Sequence, residues 1–241
     1  MTRLSETLRV PKGLTAAVGG GGKTSLLWRL ALELSEKGRV VLATTTHIRP
    51  PQCLTLLDPT RQAVEDALKK VSLIAIGRPT PDGKLAEVKG LQGQYEGLAD
   101  YVLIEADGSR GLPLKAPAEY EPALPAHVSL VLAVAGMDCV GRTVGQAAHR
   151  PERYAAIAQA GLEDWVTPEM VATVLDHPYG QRKGVSGPMT VVLNQTDTPQ
   201  RLMFARAVAE RLREDVAIVA LQNKPEWVEY HACIRTANDV S

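Results

Sequence analysis

A run of four glycines followed by Lys-Thr-Ser constrains this chain more than any other feature. The run lies between a short apolar segment, residues 14–18, and a segment with apolar residues at helical spacing, residues 26–34. A strand, a glycine-rich turn and a helix start, in that order, form a phosphate-binding loop. Glycines can turn backbone N–H groups toward phosphate oxygens, and the helix N-terminus adds the positive end of its dipole. The sequence therefore predicts a nucleoside triphosphate site.

Two side chains of this loop have distinct expected roles. The Lys23 ammonium can reach the β- and γ-phosphates, and the Thr24 hydroxyl can coordinate Mg²⁺. Ala17 stands where the usual GxxxxGK[ST] pattern has its first glycine; the glycine run compensates in part, because each glycine tolerates a positive φ. A flexible turn is the alternative, but it does not explain a Lys-Thr pair at a helix start. The predicted nucleotide-binding residues here are Gly19, Gly20, Gly21, Gly22, Lys23, Thr24 and Ser25.

Apolar runs alternate with helical segments along the chain, which indicates an α/β fold with a doubly wound, mostly parallel sheet. The expected architecture is P-loop NTPase-like, a Rossmann-like arrangement of three layers. We expect residues 1–241 to form a single nucleotide-binding domain with a helical insertion at about 145–185. A long helix is expected from Pro199 to near Arg213, and the proline-rich segment 111–125 is expected to be an extended, structured loop. The expected strands cover residues 14–18, 39–44, 73–76, 101–105, 128–135, 189–193 and 216–221.

Composition excludes several classes of protein. Lys plus Arg and Asp plus Glu both number 27, so the formal net charge is zero. That balance gives no electrostatic argument for nucleic acid or an anionic membrane as a partner. Cys53, Cys139 and Cys233 are far apart in the sequence and form no CxxC pair, which argues against a disulfide framework or a zinc site. With no signal-peptide pattern and no membrane-length apolar run, the expected location is cytoplasmic.

Two carboxylates follow the predicted strand at residues 101–105. Glu105 and Asp107, with a glycine three residues after the glutamate, resemble the ExxG switch element of nucleotide switches, where a carboxylate acts on the metal shell. Mg²⁺ in such sites usually keeps waters and takes one or two carboxylates besides phosphate oxygens. An acidic turn without function is the alternative. We expect Lys23, Glu105 and Asp107 to be catalytic and Thr24, Glu105 and Asp107 to serve Mg²⁺, with the choice between the two carboxylates left open.

The predicted strand at residues 189–193 is followed by Asn194, Gln195, a threonine and Asp197, which resembles the N-[KQ]-x-D guanine motif of GTPases. The Asp197 carboxylate would accept hydrogen bonds from guanine N1–H and the exocyclic amine, while Asn194 would bind the purine edge and brace the loop. Adenine presents the opposite donor and acceptor pattern at that edge. A polar turn that caps the next helix is the alternative. GTP is the expected nucleotide, with ATP as the alternative.

A second ligand could lie near the same sheet edge. Thr45 belongs to a threonine run at the end of the predicted strand 39–44, and Arg110 and Lys115 lie in the loop after the two carboxylates. These three residues are candidates for a second, anionic ligand. Ordinary strand composition and solvated surface cations are the corresponding alternatives.

Five segments in this order resemble one known family: residues 18–25 (VGGGGKTS), 44–47 (TTTH), 105–117 (EADGSRGLPLKAP), 149–151 (HRP) and 194–197 (NQTD). The chain is similar to the selenium-dependent molybdenum hydroxylase accessory protein family, the YqeC family, over about residues 14–221. The resemblance implies a P-loop nucleotide-binding protein that helps to mature a molybdenum-containing hydroxylase. It names a setting for the protein but no defined reaction.

Three functions are compatible with these residues. The first is a slow GTPase that acts as an accessory factor, with Mg²⁺ as cofactor and a molybdenum hydroxylase or a molybdopterin-type cofactor as partner. The second is a small-molecule kinase, in which Asp107 is the base and Lys115 and Arg110 hold an anionic acceptor. The third is an adaptor that binds nucleotide without hydrolysis. For the GTPase no arginine finger can be assigned, so a partner or a homodimer could complete the site.

Overall fold

The structure is a computed structural model that describes residues 3–91 and 94–221. Its strands are β1 (Gly13–Gly19), β2 (Val40–Thr44), β3 (Leu54–Leu57), β4 (Leu73–Pro79), β5 (Leu85–Ala86), β6 (Tyr101–Glu105), β7 (Leu114–Lys115), β8 (Val128–Gly136), β9 (Ala148–His149), β10 (Met189–Asn194) and β11 (Asp215–Ile218). Its α-helices are α1 (Leu4–Thr7), α2 (Lys23–Leu34), α3 (Arg61–Leu68), α4 (Val144–Ala147), α5 (Pro151–Ala158), α6 (Pro168–Asp176) and α7 (Pro199–Ala209).

One mostly parallel sheet organises the described residues. Its strand order is β11-β10-β8-β1-β6-β2-β4-β3, with β5 added antiparallel to β4. The glycine-loop strand β1 is central and pairs in parallel with both β6 and β8. Helices cover both faces, so the predicted doubly wound α/β fold is confirmed. The expected single domain with a helical insertion stays a prediction.

Successive residues of β1 face different helical layers, as the two-residue period of a strand requires. Ala17 packs in a cluster with Leu26 and Leu30 of α2. Ala16 and Val18, on the opposite face, belong to a cluster that includes residues of α5, α6 and α7. Every residue of β2, β6 and β10, and every residue of β1 after Gly13, is buried, which is typical of parallel strands with helices on both faces.

Two sequence expectations about local structure need correction. Helix α7 ends at Ala209 and not near Arg213, because the chain turns there and buries Leu212 against the sheet. The segment 111–125 is not only a loop, since β7 lies within it and pairs in parallel with β9. Cys233 lies outside the described residues. No helix of the described ranges combines the length and hydropathy needed to cross a bilayer.

Candidate functional site

The glycine loop connects the carboxyl end of β1 to the first turn of α2. Gly19, Gly21 and Gly22 all have positive φ, at 96°, 79° and 115°. A Cβ atom at Gly21 would lie 2.3 Å from the backbone of Gly136 at the end of β8. Glycine is therefore required at Gly21 both by conformation and by the close approach of a neighbouring strand.

Lys23 curls back over the loop. Its side chain is almost fully buried, and its Nζ donates a hydrogen bond to the Gly19 carbonyl at 2.5 Å. The same Nζ lies 3.2 Å from Asp107 Oδ1 and 3.9 Å from Glu105 Oε1. The structure thus brings the predicted lysine and both predicted carboxylates together at the end of the central strand.

Glu105 ends β6 beside Thr24. The Thr24 hydroxyl donates a hydrogen bond to Glu105 Oε2 at 2.6 Å, and Ala17 of β1 lies opposite Glu105 in the sheet register. Burial raises the pKa of the Glu105 carboxyl, an effect that Lys23 and the Thr24 hydroxyl oppose. The Glu105 carboxylate and the Thr24 hydroxyl are oxygen ligands of the kind that a hard divalent cation takes.

Asp107 makes a different set of contacts from Glu105. Both of its oxygens lie within hydrogen-bonding distance of the Gly19 N–H, and its Oδ2 is 3.0 Å from Lys115 Nζ. The side chains of Asp107 and Lys115 have no exposed area. Lys115 Nζ also donates to the Gly108 carbonyl at 2.6 Å and lies 3.0 Å from Glu121 Oε2. Lys115 is therefore an internal cation with three acceptors.

The contacts of Lys115 continue toward the surface. Arg150 Nη1 lies 2.7 Å from Glu121 Oε2. Although burial opposes it, hydrogen bonds from the Ala118 N–H and Lys115 lower the pKa of Glu121. These side chains alternate in sign, and we call them the charge chain: Lys23, Asp107, Lys115, Glu121 and Arg150. Glu121 and Arg150 were not predicted as site residues. Arg150 lies within residues 149–151, one of the segments that carry the family resemblance, and Glu121 lies shortly after another such segment, residues 105–117.

Asn194 at the end of β10 supports the glycine loop. Its Nδ2 donates to the Gly21 carbonyl at 2.8 Å, and its Oδ1 accepts from the Leu221 N–H at 3.3 Å. Asn194 also lies opposite Gly136 of β8 in the sheet register. The predicted bracing role of Asn194 therefore has a direct geometric basis, because one side chain ties the loop to two later parts of the chain.

Gln195 and Asp197 continue from Asn194 along the same sheet edge. Gln195 has a positive φ of 65°. Its Oε1 and the Oδ1 of Asp197 are buried and have no hydrogen-bond partner among the described residues. Asp197 Oδ2 lies 3.9 Å from Arg201 Nη1, and Arg201 also forms an ion pair with Asp138. A buried carboxylate oxygen without a donor is unusual in proteins and is a candidate ligand contact.

The three candidates for a second ligand occupy different environments. The Thr45 hydroxyl donates to the Ala123 carbonyl at 3.1 Å. Arg110 is exposed, with a positive φ of 52°. Lys115 is buried with the three acceptors given above, so an external anion would have to displace one of them. The second-ligand role of these residues stays a prediction.

Comparison with known proteins adds the family. The model of the YqeC protein family matches residues 15–152, which is more than half of the chain. The chain belongs to the YqeC family. The match contains the glycine loop, both carboxylates, Lys115 and Arg150, whereas Asn194 and Asp197 lie beyond it.

A curated relative supports the same assignment. The chain is 35% identical over 183 residues to "Uncharacterized protein YqeC" of Escherichia coli (strain K12), and the match covers 70% of each chain. No solved structure matches this chain. The recognition of the YqeC family from its sequence segments is thus confirmed, and its chemistry has to be argued from the residues.

Proposed function

We propose that this YqeC family protein binds a nucleoside triphosphate with Mg²⁺, prefers GTP over ATP, and hydrolyses it slowly. The observation that supports this best is the convergence of Lys23, Thr24 and Glu105 on the turn between the central strand and α2. Phosphoryl-transfer proteins depend mainly on positioning and on charge stabilisation of this kind. The loop N–H groups and the α2 dipole would add to the binding of phosphate oxygens.

We assign the metal role to Thr24 and Glu105, and not to Asp107. Thr24 and Glu105 share a hydrogen bond, so one cation could bear on both. Asp107 is held by the Gly19 N–H and by Lys115, which leaves it less free to reach a metal. The described residues contain no cluster of three or more His, Cys, Asp or Glu side chains that could hold a metal ion. Phosphate oxygens and water would therefore complete the Mg²⁺ shell.

The proposed preference for guanine is supported by the surroundings of Asp197. The unpartnered Oδ1 of Asp197 offers an acceptor to the N1–H and amine donors of guanine, which adenine lacks at that edge. Asn194 donates a hydrogen bond to the Gly21 carbonyl, which connects residues 194–197 directly to the glycine loop. The proposed sites for the base and for the phosphates are therefore in contact. We assign no arginine of the described residues to the γ-phosphate, and slow turnover without a partner follows from that.

The cellular role that we propose is maturation of a selenium-dependent molybdenum hydroxylase. This role is supported by the resemblance in sequence and not by the geometry of the site. A kinase or a non-hydrolysing adaptor remains an alternative within the same site. Phosphate release from GTP and ATP, measured with and without a molybdopterin-type ligand, separates these functions: acceptor-dependent nucleoside diphosphate formation indicates a kinase, and no release under any condition indicates an adaptor.

Nucleotide binding itself is tested with fluorescent GTP and ATP analogues. We expect Lys23→Ala to weaken GTP binding by at least about 10-fold, since it removes a charge-assisted contact to phosphate, while the exposed control Lys70→Ala binds as the wild type does. We expect Asp197→Asn to reduce the preference for GTP over xanthosine triphosphate by at least about 10-fold. An unchanged preference would contradict the guanine assignment, and unchanged binding in Lys23→Ala would contradict the site.

A further inference from the structure

Arg201 lies between two carboxylates beside the proposed guanine site. It belongs to the first turn of α7, and its Nη2 forms a hydrogen-bonded ion pair with Asp138 Oδ1. Its Nη1 lies 3.9 Å from Asp197 Oδ2, a distance that allows an ion pair but is too long for a hydrogen bond. Of its two acidic neighbours, Arg201 is therefore bonded to Asp138 and stands apart from Asp197.

The sheet explains why these two carboxylates are neighbours. Asp138 belongs to a 3₁₀ turn, Met137–Cys139, that directly follows β8, and Asp197 lies three residues after the end of β10. Strands β8 and β10 pair in parallel, with Asn194 opposite Gly136 in the register. The carboxyl ends of parallel strands share one edge of the sheet, so both acidic side chains reach the first turn of α7.

Asp138 has more donors than Asp197 does. Its Oδ2 accepts from Arg142 Nη2, so each oxygen of Asp138 is bonded to a different guanidinium. The Asp197 side chain is only 13% exposed, against 28% for Asp138, and its Oδ1 has no hydrogen-bond partner among the described residues. The more buried carboxylate thus has the poorer contacts. Direct contact with Arg201 would improve them, and the bond between Arg201 and Asp138 stands in its way.

The guanidinium of an arginine and the hydrogen-bonding edge of guanine offer a carboxylate the same pattern of donors. Each presents two parallel N–H groups, which come from guanidinium nitrogens in arginine and from N1–H and the exocyclic amine in guanine. If Asp197 accepted both N–H groups of Arg201, its two oxygens would already be engaged by a cation and could not accept the guanine edge in the same way. Arg201 and guanine are therefore alternative partners of Asp197.

We propose that Asp138 is a positioning residue for nucleotide specificity: it holds Arg201 away from Asp197 and so keeps the Asp197 carboxylate open to guanine. This inference rests on the proposed function, in which Asp197 contacts the base. It adds two residues that the guanine motif does not contain, Asp138 and Arg201. Without the charge of Asp138, Asp197 is the remaining carboxylate that the described residues place beside Arg201.

Asp138→Asn tests the inference in the full-length protein, because it removes the charge that holds Arg201 and keeps the size of the side chain. Binding of fluorescent GTP and ATP analogues is measured, and the readout is the ratio of the two affinities. We expect this preference for GTP to fall at least about 5-fold, since Arg201 then occupies the acceptor of the base. The affinity for ATP should stay within about 2-fold of the wild-type value, because the glycine loop that binds phosphate is unchanged. A variant that only loses structure would weaken both nucleotides.

The double variant Asp138→Asn/Arg201→Gln is the decisive one. Loss of Arg201 removes the competitor, so we expect the preference for GTP to return to within about 2-fold of the wild-type ratio. Arg201→Gln alone should keep at least the wild-type preference. Arg142→Gln is the matched control, since it removes the other guanidinium from Asp138 and should leave the ratio unchanged. A double variant that prefers GTP as little as Asp138→Asn does, a loss of preference in Arg201→Gln, or an equal loss in Arg142→Gln would each overturn the proposal.

Crystal structures without nucleotide separate this inference from the proposed function. In Asp138→Asn we expect Arg201 to donate to both oxygens of Asp197 at distances within about 3.2 Å, whereas the wild type should keep the contact with Asp138. This rearrangement, together with equal binding of GTP and ATP by the wild type, would support the positioning of Arg201 by Asp138 and reject the proposed preference for guanine. A wild type that prefers GTP, with an Arg201 that stays away from Asp197 in the variant, would retain the proposed function and overturn this inference.

Discussion

Both carboxylate oxygens of Asp107 lie within hydrogen-bonding distance of the Gly19 N–H, at 3.1 and 3.0 Å. The Lys23 ammonium is 3.2 Å from the first of these oxygens. A backbone N–H of the glycine loop and the loop lysine are groups that a phosphate would be expected to use. In the described structure an internal carboxylate occupies them, so a bound triphosphate would compete with Asp107.

The first prediction concerns Asp107→Asn. The amide keeps an acceptor for the Gly19 N–H but removes the negative charge that holds Lys23. We therefore expect GTP to bind about 10-fold more tightly, equivalent to about 1.4 kcal/mol, as measured with a fluorescent GTP analogue. We also expect a lower free energy of unfolding in urea, because Lys115 loses a buried counter-ion. Unchanged or weaker GTP binding would contradict competition by Asp107.

The second prediction concerns the buried ammonium of Lys115. Lys115→Met should lower the free energy of unfolding by about 3–5 kcal/mol, because it leaves the buried Asp107 and the partly buried Glu121 without their shared cation. Lys69→Met is the matched control, since Lys69 forms an exposed ion pair with Asp66 at 2.7 Å. The control should change stability by at most about 1 kcal/mol. Urea denaturation of both variants measures the difference; equal effects would show that the charge chain contributes little to stability.

The third prediction concerns pH. Burial, and then the positive charges of Arg150, Lys115 and Arg110, lower the pKa of His149. The unfolded chain therefore takes up this proton at a higher pH than the folded protein does, and stability is lost as the pH falls below about 6.5, the ordinary pKa of histidine. In His149→Asn the free energy of unfolding should fall less between pH 7 and pH 5. Denaturation curves at several pH values measure this; a decline as steep as that of the wild type would refute it.

The fourth prediction concerns the brace at Asn194. Asn194→Ala removes the donor to the Gly21 carbonyl and the acceptor of the Leu221 N–H. We expect a loss of about 1–3 kcal/mol in the free energy of unfolding, from buried backbone groups left unpaired, and faster amide hydrogen exchange in the glycine loop. Thr190→Ala, at a buried position of the same strand, should leave exchange in the glycine loop unchanged. Equal exchange in the two variants would rule out the bracing role.

The fold and the centre of the site were predictable from local patterns. The glycine run required a strand before it and a helix after it, and the other apolar runs required a parallel sheet. In such a sheet the carboxyl ends of the strands share one edge, so Glu105 and Asn194 had to approach the loop. The sequence could not predict that Glu105 contacts Thr24 while Asp107 contacts Lys115. The two carboxylates follow the same strand, and only the tertiary packing decides which neighbours each one meets.

The environment of Lys115 was also hidden from the sequence. A lysine in a proline-rich segment is most often exposed. Here the pairing of β7 with β9 carries it inside, next to partners that are distant in the chain. Neither hydrophobic periodicity nor a motif records such a pairing, since each strand has two residues. The charge chain could be found only once the backbone brought these residues together.

The charge chain also limits how this protein can change in evolution. Each inner member lies between two side chains of opposite charge, so loss of Lys115 leaves the fully buried Asp107 and the partly buried Glu121 without one of their cations. A homologue with an uncharged residue in place of Lys115 would need a matching replacement of Asp107 or Glu121. We therefore expect these positions to mutate in concert, as a set whose total charge is preserved.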